Sequence, residues 1–372
     1  MDVESVVKQR YSEGAKERQE QLCCPVEYDS SLLKLLPDEI LAKDYGCGDP
    51  SRYVREGDTV LDLGSGGGKI CYMAAQLVGS KGRVIGIDMN DDMLTLARKY
   101  RNSMQEKMGG VAIDFHKGYI QDLALNVEAV EEYLAQNPIK TNDDLNRFNL
   151  WKAEQKQATP LIADNSVDLV VSNCVLNLVG DEEKRQLIQE IHRVLKPGGR
   201  VAISDIVSDE EVGEHLKKDP QLWSGCISGA FQEHEFLEAF GEVGFLAMAY
   251  DKWDSTPWQV VEGIEFRSVT LTAVKGEGMP CYDRGHAVIY RGPYASTTDD
   301  EGHVYYRGER MAVCERTFKL LTSSIYKDDF IGISPPGLTT PVEWCAPAGT
   351  RRAVSETKSG IHQMDSESSR CC

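Results

Sequence analysis

Between residues 59 and 206 short apolar runs alternate with longer stretches whose apolar residues recur every three or four positions. Thr59–Leu63 (TVLDL) reads as a buried strand and is followed by Gly64-Ser65-Gly66-Gly67-Gly68. Lys69–Val78 then places Ile70, Met73, Ala74 and Leu77 at helical spacing. Arg83–Asp88 (RVIGID) reads as a second strand, and Asp91 as the cap of a helix reaching about residue 106. Residues 111–117, 167–172 (VDLVVS) and 200–206 (RVAISDI) read as strands three to five. Between the last two, residues 181–195 carry Leu187, Ile188, Ile191, Val194 and Leu195 on one helical face and stop at Lys196-Pro197-Gly198-Gly199. Strands alternating with helices predict an α/β fold with a parallel sheet and right-handed crossovers, whose ligands bind beyond the carboxyl ends of the strands.

This rhythm breaks at residues 120–160, a polar insertion containing Asn137-Pro138 and Thr141-Asn142-Asp143-Asp144. Val127, Val130 and Leu134 predict one helix before that break, with another after it. Past residue 275 the pattern changes again: 286–291 and 303–307 alternate like strands on either side of Thr297-Thr298-Asp299-Asp300-Glu301-Gly302, which predicts a hairpin. Residues 317–326 place Phe318, Leu321 and Ile325 on one helical face, and from about residue 346 the chain turns polar and is expected to be disordered. The expected organisation is an N-terminal segment and lid over residues 1–55, a main domain over 56–275, a small α+β lobe over 276–345 and a tail over 346–372.

Composition narrows the partners. A formal charge of −18 and an isoelectric point near 4.9 repel anions, which argues against nucleic acid and acidic membrane surfaces. No stretch approaches the roughly 20 apolar residues that span a bilayer, and residues 1–11 (MDVESVVKQRY) lack the apolar core of a signal peptide, so a cytoplasmic location is expected. The chain has 11 cysteines, many for a reducing compartment, where thiols serve metals, catalysis or redox chemistry more often than a disulfide framework. Some are expected to be small buried hydrophobes.

The glycine loop carries the first chemical signal. A dinucleotide site wants G-x-G-x-x-G, whereas here Gly64, Gly66 and Gly68 alternate, Lys69 stands in place of the third glycine and Asp62 precedes the loop. This pattern resembles motif I of the class I S-adenosylmethionine-dependent methyltransferases, as does VLKPGGR at 194–200. The resemblance implies a Rossmann-like fold with S-adenosylmethionine held by Asp62, Gly64, Ser65, Gly66 and Gly68. Asp88 would take the ribose hydroxyls, Met89 and Asn90 after it would flank the adenine, and Ile120 and Gln121 would grip the adenine, with Asn173 at the end of strand four completing the site. A carboxylate at Asp88 can accept both hydrogen bonds of a ribose diol.

Four cysteines sit where strand ends and a helix start approach that loop: Cys47 in YGCGDP, Cys71 in GGGKICY, Cys174 in VVSNCV and Cys226 in SGCISGA. Cys71 lies in the first turns of a helix, where the dipole favours a thiolate. None has the C-x-x-C spacing of a structural zinc motif, and any one of them alone reads as a buried packing thiol. Together YGCG at 45–48, KICY at 69–72, SNCVLNLV at 172–179 and GCISGA at 225–230, with RSVTLTAVK at 267–275, resemble the arsenic(III) methyltransferase family over about residues 11–275.

The resemblance implies an enzyme that methylates arsenite and methylarsenite in arsenic detoxification, taking arsenite or its thiol conjugates as substrate and acting as a monomer. Trivalent arsenic bonds stably to thiolates, as soft metals do. Methyl transfer oxidises it formally to the pentavalent state, and two cysteines closing a disulfide return the electrons. By resemblance Cys174 and Cys226 are the persistent arsenic ligands, Cys71 is a third ligand that forms the disulfide with Cys47, and glutathione or thioredoxin is the thiol reductant. Cys23-Cys24 and Cys371-Cys372 read as an arsenite relay or as incidental thiols, and Cys281, Cys314 and Cys345 as core thiols or a second soft-metal site. Two other readings stay open: a class I methyltransferase acting on another thiol-bound metalloid or a small organic metabolite, which would tolerate Cys174→Ser with Cys226→Ser, and a non-enzymatic arsenite-binding protein, against which the intact loop and Asp88 count.

Overall fold

The computed structural model describes residues 3–19, 26–335, 337 and 340–358. The terminal pairs Cys23-Cys24 and Cys371-Cys372 lie outside the described residues. The chain divides into two compact units, Met1–Gly276 and Glu277–Cys372.

The first unit is built on strands β1 (Thr59–Leu63), β2 (Arg83–Asp88), β3 (Ala112–Lys117), β4 (Val167–Asn173), β5 (Leu195–Ser208), β6 (Phe245–Trp253) and β7 (Ile264–Lys275), ordered β3-β2-β1-β4-β5-β7-β6. The pairs among β1 to β5 are parallel, while β7 runs antiparallel to both β5 and β6. The principal helices are α1 (Val3–Lys16), α2 (Lys69–Val78), α3 (Asp91–Lys107), α4 (Val127–Gln136), α5 (Asn142–Ala158), α6 (Asp181–Val194) and α7 (Glu233–Val243). Alternation along each strand sends neighbours to opposite faces. Leu61, Ile85 and Ile87 pack with Leu187, Ile188 and Ile191 of α6 on one side. Val60 and Val84 pack with Met73 and Ala74 of α2 and Leu94 and Ala97 of α3 on the other. With both faces covered, the strands read as near-continuous apolar runs, and the polar loops at their carboxyl ends are left to build a site.

The order of strands and helices agrees with the periodicity. One cap does not: the helix expected to begin under Asp91 is capped by Asn90, whose side-chain oxygen accepts from the N–H groups of Asp92 and Met93 at 3.0 and 3.1 Å. Asp91 instead pairs with Lys117. In the insertion, α5 starts on a capping box between Thr141 and Asp144, and Tyr133 of α4 stacks on Trp151 of α5 with ring centroids 4.2 Å apart.

The second unit differs from its sequence reading in three places. The hairpin joins Ser296–Thr298 to Val304–Tyr306, because the Asp299 carboxylate accepts from the N–H groups of Glu301 and His303 and closes the turn locally. Ala287–Tyr290 pairs instead with Arg310–Ala312 and Phe330–Ile333. Residues 346–358 of the polar stretch are held by fixed partners: Ala312 N–H donates to Thr350 O at 2.8 Å, Arg352 N–H to Arg310 O at 2.8 Å, and the Arg352 side chain pairs with Asp283. Charged side chains with fixed partners order a segment that lacks apolar content. The helix expected over 317–326 spans Glu315–Leu321 and ends where the Thr322 hydroxyl takes the Phe318 carbonyl.

Candidate active site

The carboxyl ends of the strands open on a cavity of about 570 Å³ whose wall includes the glycine loop, Asp88, Tyr119, Cys174 and, from α1, Val7 and Tyr11. Gly64, Gly66 and Gly68 have φ of 66°, 51° and 87°, and a Cβ at Gly64 would lie 2.4 Å from the Val175 side chain. A loop of this shape is open to residues without a side chain and closed to most others. The turn aims the Gly66 N–H at Asp88 Oδ2 at 2.8 Å, while the Asn90 N–H takes Oδ1 at 2.8 Å. Burial raises the Asp88 pKa, and those two N–H groups oppose it. Each oxygen keeps a lone pair for a further donor, which suits a vicinal diol.

On the neighbouring strand Asp62 is buried, and burial lifts its pKa to about 7, with the Cys71 hydrogen bond acting against that and the charge of Asp88 adding to it. Ser65 Oγ is buried with no hydrogen-bond partner among the described residues. Acceptors at Asp62 and Asp88 and an unsatisfied hydroxyl between them fit a ligand with a ribose diol at one end and an ammonium at the other. Of the residues expected to hold the cofactor, Asp62, Gly64, Ser65, Gly66, Asp88, Met89, Asn90, Ile120, Gln121 and Asn173 line the cavity; Gly68 lies behind it, packed on Phe115 and Tyr72.

The four cysteines are not all together. Cys47, Cys174 and Cys226 share one buried cluster, whereas Cys71 belongs to the layer under the sheet. Cys47 and Cys174 form a disulfide. The pairing of Cys47 with Cys71 implied by the family resemblance is therefore absent, and Cys71 is not beside the other expected arsenic ligands. The physical reason is the facing of α2: Cys71 turns onto the sheet above Gly86 and donates its thiol hydrogen to Asp62 at 3.2 Å. Burial pushes its pKa well up, and the Asp62 charge adds to that, so a thiolate is disfavoured where the helix dipole alone would favour one.

Cys47 is carried to Cys174 by Asn173, whose side-chain oxygen accepts from the N–H groups of Cys47 and Gly48 at 2.8 and 3.0 Å while its amide donates to Gly48 O. A Cβ at Gly46 would fall 2.0 Å from Asn173 Nδ2, and one at Gly48 2.3 Å from Ser204 Oγ, so both glycines flanking Cys47 are required by the clamp. The Asn173 amide, expected to serve a cofactor, is committed to this backbone. Cys174 and Cys226 both adopt left-handed backbone conformations, with φ of 59° and 62°, which is uncommon outside glycine and concentrates at functional sites. The Cys226 thiol donates to the Cys174 carbonyl at 3.2 Å and is hydrogen-bonded to Tyr11 of α1.

Residues 55–244 match the family model described as a methyltransferase domain, and residues 277–362 match a domain of unknown function. An arsenite methyltransferase of Aquipseudomonas alcaligenes is 31% identical over 80% of this chain and 80% of its own length. An arsenite methyltransferase of Homo sapiens is 30% identical over 91% of this chain and 84% of its own. The chain belongs to the arsenite methyltransferase family. The crystal structure of CrArsM, an arsenic(III) S-adenosylmethionine methyltransferase from Chlamydomonas reinhardtii, superposes with a TM-score of 0.54, at 26% identity, covering 86% of this chain and 99% of that one.

Sequence reasoning passed over two residues of this arsenite methyltransferase fold. Asp205 is fully buried at the end of β5, where one of its oxygens lies within 4.8 Å of both Cys47 Sγ and Cys174 Sγ. It accepts from the N–H groups of Leu176 and Ile206 at 2.9 and 2.8 Å and from Asn177 at 3.4 Å, and burial raises its pKa to about 6 against those bonds. Its one signal in the sequence is a carboxylate inside the otherwise apolar run RVAISDI. Tyr11 had no signal, because only the docking of α1 brings it to Cys226.

Proposed function

We propose that this protein transfers methyl groups from S-adenosylmethionine to trivalent arsenic, arsenite first and then methylarsenite, held by the thiolates of Cys47, Cys174 and Cys226. The observation that carries the reading is the convergence of three cysteines in one buried cluster, of which Cys174 lies on the wall of the cavity that holds the glycine loop and Asp88. S-adenosylmethionine, when bound, supplies a methyl group on a cationic sulfonium. Asp88 receives the ribose diol, Asp62 and the loop hold the amino-acid end, and α1 with Tyr11 closes the cavity against water.

Glutathione or thioredoxin first reduces the Cys47–Cys174 disulfide, delivering two electrons and two protons and leaving both thiols free. Three thiols then displace three hydroxyl groups from arsenite as water, forming three As–S bonds and leaving the arsenic lone pair directed into the cavity. In-line placement in a dry pocket carries the rate, because the sulfonium charge is lost as the methyl moves. The pentavalent product regains two electrons when Cys47 and Cys174 close their disulfide, and the cycle restarts at the reductant. Cys71, hydrogen-bonded to Asp62 beneath the loop, stands apart from this set as the fourth thiol. The protein works in the cytoplasm as a monomer, in arsenic detoxification; among the described residues no helix is long and apolar enough to cross a membrane.

Purified protein incubated with arsenite, S-adenosylmethionine and glutathione is expected to yield mono- and dimethylated arsenic by chromatography with arsenic-specific detection. No methylated arsenic, with a small organic metabolite methylated instead, would overturn the reading.

A further inference from the structure

Four ligand-type side chains of the second unit, from segments far apart in the sequence, lie in a chain of neighbours. Cys281 directly precedes Tyr282–Asp283, whose antiparallel partner Val342–Glu343 is followed by Trp344 and Cys345. The Trp344 N–H donates to Cys281 O at 2.8 Å, and this short ladder brings Cys345 next to Cys281, where the two thiols act electrostatically on each other. Cys314, the buried cap of Glu315–Leu321, acts electrostatically on Cys281 as well. His303 enters from the residue before Val304–Tyr306, its Nε2 4.0 Å from Cys345 Sγ. Cys314, Cys281, Cys345 and His303 thus follow one another as neighbours.

We propose that the second unit binds a zinc ion tetrahedrally through Cys281, Cys314, Cys345 and His303. Three thiolates and one imidazole form a closed structural zinc set; zinc–ligand bonds of about 2.0–2.3 Å hold neighbouring donors roughly 3.4–3.8 Å apart, so the side chains draw together around the ion from a resting arrangement in which no three of the donor atoms lie within 4.8 Å of one another. The imidazole is prepared for this: Asp299 takes Nδ1 at 2.9 Å and is itself held by the Tyr305 hydroxyl at 2.6 Å. A carboxylate behind the ring fixes the tautomer that points the Nε2 lone pair at the metal. Binding releases the three thiol protons and the imidazolium proton of His303 and leaves the set with one net negative charge. Arg316 acts electrostatically on Cys281 and Cys314, and its buried Nε–H lacks an acceptor among the described residues, which a thiolate supplies. Cys345 is exposed, so an ion can enter. Trivalent arsenic would use three thiols and leave the oriented imidazole without a role; zinc uses all four. A metal also suits a unit whose own apolar cluster is small, with Val288, Tyr290, Tyr305, Met311, Val313, Leu321 and Phe330 as its buried members.

The test is the metal content of the full-length protein, purified reduced and exposed to zinc, measured by mass spectrometry after exhaustive dialysis and by the absorption spectrum of the cobalt-substituted form. The wild type should retain about one zinc per chain and show sulfur-to-cobalt charge transfer with tetrahedral d–d bands. His303→Ala and Cys281→Ser should each lower zinc retention at least ten-fold, while Cys174→Ser combined with Cys226→Ser should leave it unchanged. His303→Cys, which keeps a fourth donor, should retain zinc, so that a loss in His303→Ala reports the missing ligand and not unfolding of the second unit. A wild type that retains no zinc, retention unaffected by His303→Ala, or loss of zinc in the Cys174/Cys226 variant would each overturn the proposal. These readouts do not involve methyl transfer, so they stand or fall separately from the proposed activity.

Discussion

At Cys174 the chain turns left-handed directly after β4, and Asp205 holds the turn by accepting the N–H groups that follow it. Asp205→Ala strips the acceptor from three buried N–H groups, each worth about 1–3 kcal/mol when left unsatisfied. Urea unfolding should show destabilisation by more than one such step, together with loss of arsenite binding to the reduced enzyme. Cys174→Ser should leave S-adenosylmethionine affinity within a few-fold of wild type by calorimetry and abolish methylated arsenic; retained methylation would remove Cys174 from the ligand set. Asp88 sets a pH dependence. It must be ionised to accept a diol, and burial raises its pKa above the usual carboxylate range near 4. Cofactor affinity should therefore fall on acidification, from about pH 7 as Asp62 takes up its proton and further as Asp88 does, and Asp88→Asn should be weak at every pH.

The glycine loop shows how an element can be legible without its reasons. Its alternating glycines announce a methyl-donor loop, yet they face different surroundings. Gly64 would drive a Cβ into Val175, while a Cβ at Gly66 meets nothing within 4 Å. Gly66→Ala in the cofactor-free protein should cost only the left-handed strain, roughly 1–2 kcal/mol, and Gly64→Ala distinctly more, as compared by thermal unfolding; equal losses would refute the steric account. Strands and helices of the first unit followed from periodicity because both faces of the sheet are covered and every element carries its own apolar stripe. The hairpin of the second unit did not, since the Asp299 turn and the Arg352–Asp283 pair act through individual polar partners.

At the scale of the molecule, every element that builds the cavity, and all four family cysteines, belong to Met1–Gly276. A protein ending at residue 276 should bind S-adenosylmethionine as tightly as the full chain, and a loss beyond ten-fold would show that the second unit contributes to the site. The sequence by itself determined the α/β sheet, the methyl-donor loop with Asp88 and the family to which the chain belongs, because these reside in local spacing and in contiguous motifs. Tertiary structure decided which thiols meet. Cys47 reaches Cys174 only because Asn173 grips the Gly46–Gly48 backbone, Cys71 is turned away by the facing of α2, and Asp205 and Tyr11 join from β5 and α1. Side-chain direction at the end of a strand depends on what packs above it, and no periodicity along the chain records that.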